Sequence, residues 1–416
     1  MSTLERTLRR EPPAPGARGA LLERLAVLIL ERVLPGLEGG TLAVRLPDGS
    51  RRLFGSSGPE VAVTITNPNL FRRLATRGKL GLGESYQAGE WEADDLVGLF
   101  ELLLRNYARA AQRHPRVART MNARPRLNRR NGLLRAWRNI GYHYNLGNEL
   151  FAQFLDETMT YSCALWERED EPLEDAQLRK LRRVCGKLRL GPDDHVLEIG
   201  CGWGSFALVA AGEYGARVTA LTICSAQAEL ARRRVAEAGL GDRVRIVEED
   251  YRAHRGTYSK IASIEMIEAI GERQFPTFFA ACDRLLAPGG VACVQTILVP
   301  DQRYDRYRST PDWIERYVFP GCLIPSLAAL TKAMTGASRF LLHDVEEIGP
   351  HYAPTLRRWR ERFLDNLPRV RELGYDDRFE RTWNFYLAFC EAAFRTRALR
   401  NAQLVLTRPF NETLRA

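Results

Sequence analysis

The run from Asp194 to Gly204, DHVLEIGCGWG, constrains the fold of this chain more than any other. Val196, Leu197 and Ile199 predict a short buried strand. Gly200, Gly202 and Gly204 then predict a tight turn, where residues without a Cβ let the backbone approach a ligand closely. A helix over about 205–213 follows directly. Strand, glycine turn and helix in this order form the cradle that open α/β sheets use for nucleotide-like ligands. Glu198, just before the turn, argues against a dinucleotide, because its carboxylate would face a pyrophosphate.

The flanking sequence alternates in the same way. A helix is expected over Glu171–Leu188, a strand over Arg217–Thr222 and a helix over Ala226–Ala238. Strands over Val244–Glu248 and Lys260–Ile264, a helix over Gln274–Leu286 and a strand over Gly290–Thr296 complete the pattern, with Pro288-Gly289-Gly290 as the last turn. That is an α/β chain with a doubly wound sheet. The carboxylate of Glu198 suits the cationic methionine end of S-adenosylmethionine (AdoMet), so E-x-G-C-G-x-G within this pattern predicts a class I methyltransferase fold.

The chain has 416 residues, enough for two or three domains. Residues 1–20, with Pro12, Pro13 and Pro15, are expected to be disordered. Leu21–Leu34 has apolar residues at helical spacing, broken by Glu23, Arg24, Glu31 and Arg32. It predicts an amphipathic helix that packs on its own domain or touches a membrane surface. Thr41–Leu46 and Arg52–Phe54 flank Pro47-Asp48-Gly49-Ser50 as a hairpin. A strand over Val61–Ile65, a helix over Asn67–Thr76, a glycine-broken loop over Gly81–Trp91 and a helix over Asp95–Tyr107 follow. Residues 21–107 therefore predict a small N-terminal α+β domain, 108–138 an arginine-rich linker and 139–416 the catalytic domain. No apolar run approaches the roughly 20 residues that span a bilayer, and Glu5, Glu11 and Glu23 interrupt any signal-peptide pattern. Eight scattered cysteines without C-x-x-C pairs predict reduced thiols, a cytoplasmic setting and no structural metal.

The net charge of +10 is concentrated. Between Arg105 and Arg138 stand eleven arginines and no acidic residue. Such a block suits anionic lipid, nucleic acid or a solvated linker. Tyr107 and Trp137 are its only aromatics, which is too few for a base-stacking platform, so nucleic acid is not expected as a partner.

Four blocks give the chain a specific resemblance: YHYNLGNELF (142–151), TYSCALW (160–166), LEIGCGWGSFA (197–207) and YAPTLRRWRERF (352–363), with LTICSAQ (221–227) and RYVFPGCLIPS (316–326) in support. From about residue 136 onward it resembles the cyclopropane-fatty-acyl-phospholipid synthase family, which includes mycolic acid cyclopropane synthases and fatty-acid C-methyltransferases. The resemblance implies helical lipid-site insertions in the methyltransferase sheet. It also implies transfer of carbon from AdoMet to the cis double bond of an acyl chain, followed by loss of a proton to a base. In the family that base is thought to be a bound bicarbonate, and the residues that would hold it here are Cys163, Glu268 and Tyr352.

Two departures bear on the product. The family's common E-H-[VF]-G reads Glu268-Ala269-Ile270-Gly271, and its L-H-T-I reads Val294-Gln295-Thr296-Ile297. Gln295 thus stands where a histidine ligand is expected; its amide can donate but cannot carry a proton. These variants resemble the subgroup that makes methylene- or methyl-branched chains, so a branched product is expected, with a cyclopropane as the alternative and a non-catalytic lipid-binding homologue as a remote one.

For AdoMet the resemblance implies Tyr161 and Ser162 at the carboxylate end. Gly200, Gly202, Trp203 and Gly204 would lie along the methionine and ribose, Thr222 and Gln227 near the ribose, and Asp250 and Tyr251 beside the adenine. Ser162 alternatively caps a turn, Tyr251 alternatively packs in the core, and Cys201 reads as packing. His143 suits a lipid headgroup, AdoMet or a structural hydrogen bond. No histidine pair has metal spacing. The partners implied are an unsaturated phospholipid, an anionic membrane surface on the cytoplasmic side, a reductase for a methylene product and, as one allowed assembly, a second copy of the chain.

Overall fold

The parallel strands read from the sequence form five consecutive strands of a seven-stranded sheet in the computed structural model, which describes residues 31, 34–55, 57–113, 146–310 and 312–414. The expected N-terminal tail, nearly all of the amphipathic helix, most of the arginine block and His143 lie outside the described residues.

The chain divides into two units, one of residues up to Asp95 with Arg105 onward, the other of Leu96–Leu104 with Arg124–Ala416. In the first, Thr41–Arg45 (β1) and Arg51–Phe54 (β2) form the expected antiparallel hairpin. At its tip, the Ser50 amide donates to Asp48 Oδ1 at 2.9 Å. Glu60–Ile65 (β3) adds parallel to β1, and Trp91–Ala93 (β4) adds antiparallel to β3. The stretch expected as a glycine-broken loop is instead a helix, Lys79–Gln87, followed by β4. Gly81 does not break this helix. A Cβ there would lie 2.3 Å from the carbonyl oxygen of Arg73, so the glycine permits close packing on the preceding Asn69–Arg77 helix. The helix expected to end at Tyr107 runs over Leu96–Arg113, and its Leu96–Leu104 turns belong to the second unit. There the Phe100 ring sits 4.8 Å from that of Phe385.

The second unit is built on His195–Ile199 (β5), Arg217–Thr222 (β6), Val244–Glu248 (β7), Tyr258–Ile264 (β8) and Leu286–Leu298 (β9). Successive neighbours among these five pair in parallel. Such strands are covered on both faces, which is why they read as apolar runs. Val196 and Ala262 pack with the Leu173–Leu188, Ser205–Tyr214 and Ser225–Glu237 helices. Leu197, Ile199 and Ile261 face the other way, toward Phe275–Leu285 and Leu327–Ala337. This alternation is the period-2 geometry of a strand.

Besides β4, two strands of the larger sheet were absent from the sequence reading. Leu341–Glu347 (β10) follows the Leu327–Ala337 helix, and Arg400–Thr407 (β11) follows the C-terminal helices Tyr352–Asp365, Leu367–Glu372 and Asp377–Arg395. β11 inserts antiparallel between β9 and β10, giving the order β10-β11-β9-β8-β5-β6-β7. The Pro288-Gly289-Gly290 turn is absorbed into β9. The sheet reverses its winding between β5 and β8, and at such a switch point the carboxyl ends of the strands leave a crevice for ligands.

Candidate active site

The glycine turn sits at that crevice. Gly200 N and Cys201 N both donate to the Leu221 carbonyl, at 3.0 and 2.9 Å, which ties the turn to β6. Gly200, Gly202 and Gly204 have φ of +84°, +52° and +86°, in the left-handed region that favours glycine. A Cβ on Gly200 would strike Met266, whereas one on Gly202 would enter open space.

That space is a pocket lined by every AdoMet residue named from the resemblance except Gly204, together with Glu198, Lys180, Met266 and Glu265. Gly204 instead caps the Ser205–Tyr214 helix. Trp203 Nε1 donates to Asn148 Oδ1 at 2.7 Å, so Asn148 braces the turn. Thr222 Oγ1 donates to Gln227 Oε1 at 2.9 Å. Asp250 is gripped by Arg252, with Nε and Nη2 at 2.8 and 2.6 Å from its two carboxylate oxygens. The Tyr251 hydroxyl is buried without a partner, which raises its pKa. The Tyr161 hydroxyl pairs with that of Tyr386 at 3.0 Å, and its ring stacks on Phe319.

Glu198 and Lys180 give the pocket its charge. Glu198 is fully enclosed, its Oε2 has no partner, and burial pushes its pKa up to about 8. A buried carboxylate with one unpartnered oxygen beside a glycine turn fits the ammonium of the methionine moiety of AdoMet. Lys180 was missed in the sequence. It lies on the buried face of Leu173–Leu188, donates to Ser162 Oγ at 2.6 Å, and burial pulls its pKa down to about 8 against the attraction of Glu265. A lysine at helical spacing between Ala176 and Val184, both fully buried, was the signal available.

The donors expected around bicarbonate converge on a different group. Glu265 follows β8 directly, and its carboxylate collects four hydrogen bonds. Oε1 accepts from Cys163 N at 3.0 Å, Gln295 Nε2 at 2.9 Å and Asn401 Nδ2 at 2.6 Å. Oε2 accepts from the Tyr352 hydroxyl at 2.6 Å. Gln295 Oε1 in turn accepts from Gln403 Nε2 at 3.0 Å, which holds the Gln295 amide with its donor toward Glu265. Cys163 takes part through its backbone, since its thiol donates to Ala164 and Ile348 carbonyls and is raised far above its ordinary pKa by burial. Burial and then Glu265 likewise keep Tyr352 a neutral donor.

The structure therefore joins Cys163, Gln295 and Tyr352 but sets Glu268 apart from them. Glu268 Oε1 accepts from Thr296 Oγ1 at 2.8 Å and Ile297 N at 2.5 Å, its Oε2 is unpartnered, and burial followed by repulsion from Glu265 pushes its pKa up to about 8. It supports the end of β9 rather than the donor cluster. Glu265, Asn401 and Gln403 were missed. Glu265 has φ of +50°, a left-handed conformation that costs a side-chain-bearing residue on the order of 1 kcal/mol and is retained where surrounding structure enforces it. Asn401 and Gln403 arrive on β11, whose register sets Gln403 opposite Gln295.

The sheet order, the switch point and the glycine turn with its buried carboxylate define a class I AdoMet-dependent methyltransferase. Within that class, residues 132–404 match the model of the mycolic acid cyclopropane synthetase family, and the chain belongs to it. It is 40% identical over 378 residues to tuberculostearic acid methyltransferase UfaA1 of Mycobacterium tuberculosis, covering 88% of each chain. It is 37% identical to cyclopropane-fatty-acyl-phospholipid synthase of Escherichia coli, over 85% of this chain and 89% of that one. The solved structure of mycolic acid cyclopropane synthase CmaA1 with SAH and CTAB superposes with a TM-score of 0.61, at 29% identity, over 65% of this chain and 98% of that one.

Proposed function

We propose that this AdoMet-dependent enzyme methylates the cis double bond of an unsaturated acyl chain in a membrane phospholipid, giving a methylene-branched chain of the 10-methylene type. The observation that carries the branched product is Gln295. It stands where the resemblance implies a histidine, fixed by Gln403 as a donor that cannot shuttle a proton. Similarity to a tuberculostearic acid methyltransferase over most of both chains supports the same reading. Cyclopropane formation is the second reading, supported by the similarity to an E. coli cyclopropane synthase.

The glycine turn and Glu198 would hold AdoMet, which when bound would supply an electrophilic methyl group. Tyr161, Phe319, Trp359 and Tyr386 form an aromatic cluster with ring separations of 5.2 to 6.4 Å. Of these rings Tyr161 lines the pocket, where its face would suit an apolar chain and a transient positive charge on it. The arginine block between Arg105 and Arg138 would hold the enzyme on an anionic bilayer, a contact that salt should weaken. A methylene product would pass to a separate reductase, and a homodimer is compatible with this reading.

The test is labelled AdoMet with oleoyl-phospholipid vesicles and gas chromatography of the acyl chains. Methylene-branched chains are expected, and Gln295→His should raise the cyclopropane share. Cyclopropane as the sole wild-type product overturns the branched reading and leaves methyl transfer standing.

A further inference from the structure

We propose that the Glu265 carboxylate is the base of this reaction, a built-in replacement for a bound anion. The inference rests on the proposed methylation of an alkene. In that step the π pair forms the bond to the methyl carbon and the departing sulfide keeps the pair of the bond that breaks. The acyl chain is left with a positive charge and one proton in excess. A hydride shift from the methylated carbon to its cationic neighbour moves the charge next to the new methyl. Loss of a methyl proton then returns its C–H pair as the C=C bond of the methylene branch, and Glu265 Oε2 takes that proton before passing it to solvent.

Elimination among the pocket carboxylates points to this residue. Those that line the pocket are Glu198, Glu249, Asp250 and Glu265. Glu198 lies behind the glycine turn as the counter-ion for an amine. Asp250 is held by Arg252, and Glu249 by His254 Nδ1 at 2.5 Å. Glu265 faces the pocket with three donors on Oε1 and one on Oε2, which leaves Oε2 a lone pair.

The donor set also speaks against a second anion. Cys163 N, Gln295 Nε2, Asn401 Nδ2 and the Tyr352 hydroxyl form the kind of cradle that would hold a carbonate-like ion, and Glu265 already occupies it. A bicarbonate placed beside it would meet a like charge with those four donors spent. Residue 265 takes a left-handed backbone directly after β8, a strained conformation at the very residue whose carboxylate gathers these four donors.

The test uses the full chain with labelled AdoMet and oleoyl-phospholipid vesicles in buffer freed of carbon dioxide. Wild type is expected to turn over at a rate that added bicarbonate leaves unchanged. Glu265→Ala should lose about 100-fold or more, the scale of general acid–base catalysis, while still binding SAH. Formate or bicarbonate should restore part of its rate saturably by entering the vacated cradle, a recovery that a purely structural role would not give. Should Glu265→Ala fail to fold, Glu265→Asp retains the charge one methylene further back, and its rate should fall with SAH binding kept. Bicarbonate-dependent wild-type turnover overturns the assignment, as does an undiminished rate in either variant. No wild-type turnover under any condition overturns the functional reading, and this inference with it.

Discussion

Glu198→Gln tests how the pocket recognises a cation. Moving a carboxyl from its ordinary 4.5 to about 8 opposes ionisation by about 5 kcal/mol, at about 1.4 kcal/mol per pH unit. At pH 7 roughly nine in ten free molecules would then carry a protonated Glu198. A ligand ammonium favours the ionised form, so SAH binding should expel about 0.9 of a proton at pH 7. Its Kd should fall about tenfold from pH 6 to pH 7, because the competent carboxylate becomes tenfold more abundant. Titration calorimetry in phosphate and in Tris, whose ionisation enthalpies differ, counts the protons released. Glu198→Gln should abolish both the release and the pH dependence. It should also weaken SAH binding by about 10- to 100-fold, the worth of a charge-assisted hydrogen bond. No proton release in wild type, or the same release in Glu198→Gln, would refute the pairing of Glu198 with the ligand amine.

Gly202→Val should abolish SAH binding in a folded protein, because its side chain enters the open space of the pocket and its φ of +52° disfavours a β-branched residue; calorimetry showing unchanged affinity would displace the ligand from the turn. Lys180 gives a stability signature in alkali. Its folded pKa of about 8 lies below the ordinary 10.5, so between these values the unfolded chain holds a proton that the folded one has lost, and stability contributed by this group rises with pH. The rise should approach about 3 kcal/mol by pH 10.5 in urea unfolding, and Lys180→Met should remove that component; identical pH profiles for the two proteins would place the lysine elsewhere.

The parallel half of the sheet was legible because its strands are buried on both faces and are punctuated by glycine turns. β6 and β7 fall where the sequence puts them, and β5 spans Val196, Leu197 and Ile199 as expected, starting one residue earlier at His195. Two misreadings share a cause: local sequence rules took precedence over tertiary contacts. Gly81 looked like a helix breaker, yet it serves contact with the Arg73 backbone. β11 lay hidden behind a long run of helix, although LVLT within it has a strand-like composition. The donors to the site were partly legible, since Cys163, Gln295 and Tyr352 were named. What they hold was not, because only the backbone conformation at residue 265 brings its carboxylate into their midst.

The position of β11 also sets an order of events during synthesis. The residues that line the ligand pocket lie between Met159 and Ile270 and leave the ribosome first. Tyr352, Asn401 and Gln403, which orient Glu265 and its amide relay, follow only after a further 80 residues or more of chain. A chain stopped before β11 would therefore carry every residue of the pocket wall but lack Asn401 and Gln403, two of the groups that fix Glu265 and Gln295. β11 thus comes last in the chain yet pairs with β9 on one side and, on the other, with β10, which joins the sheet through it.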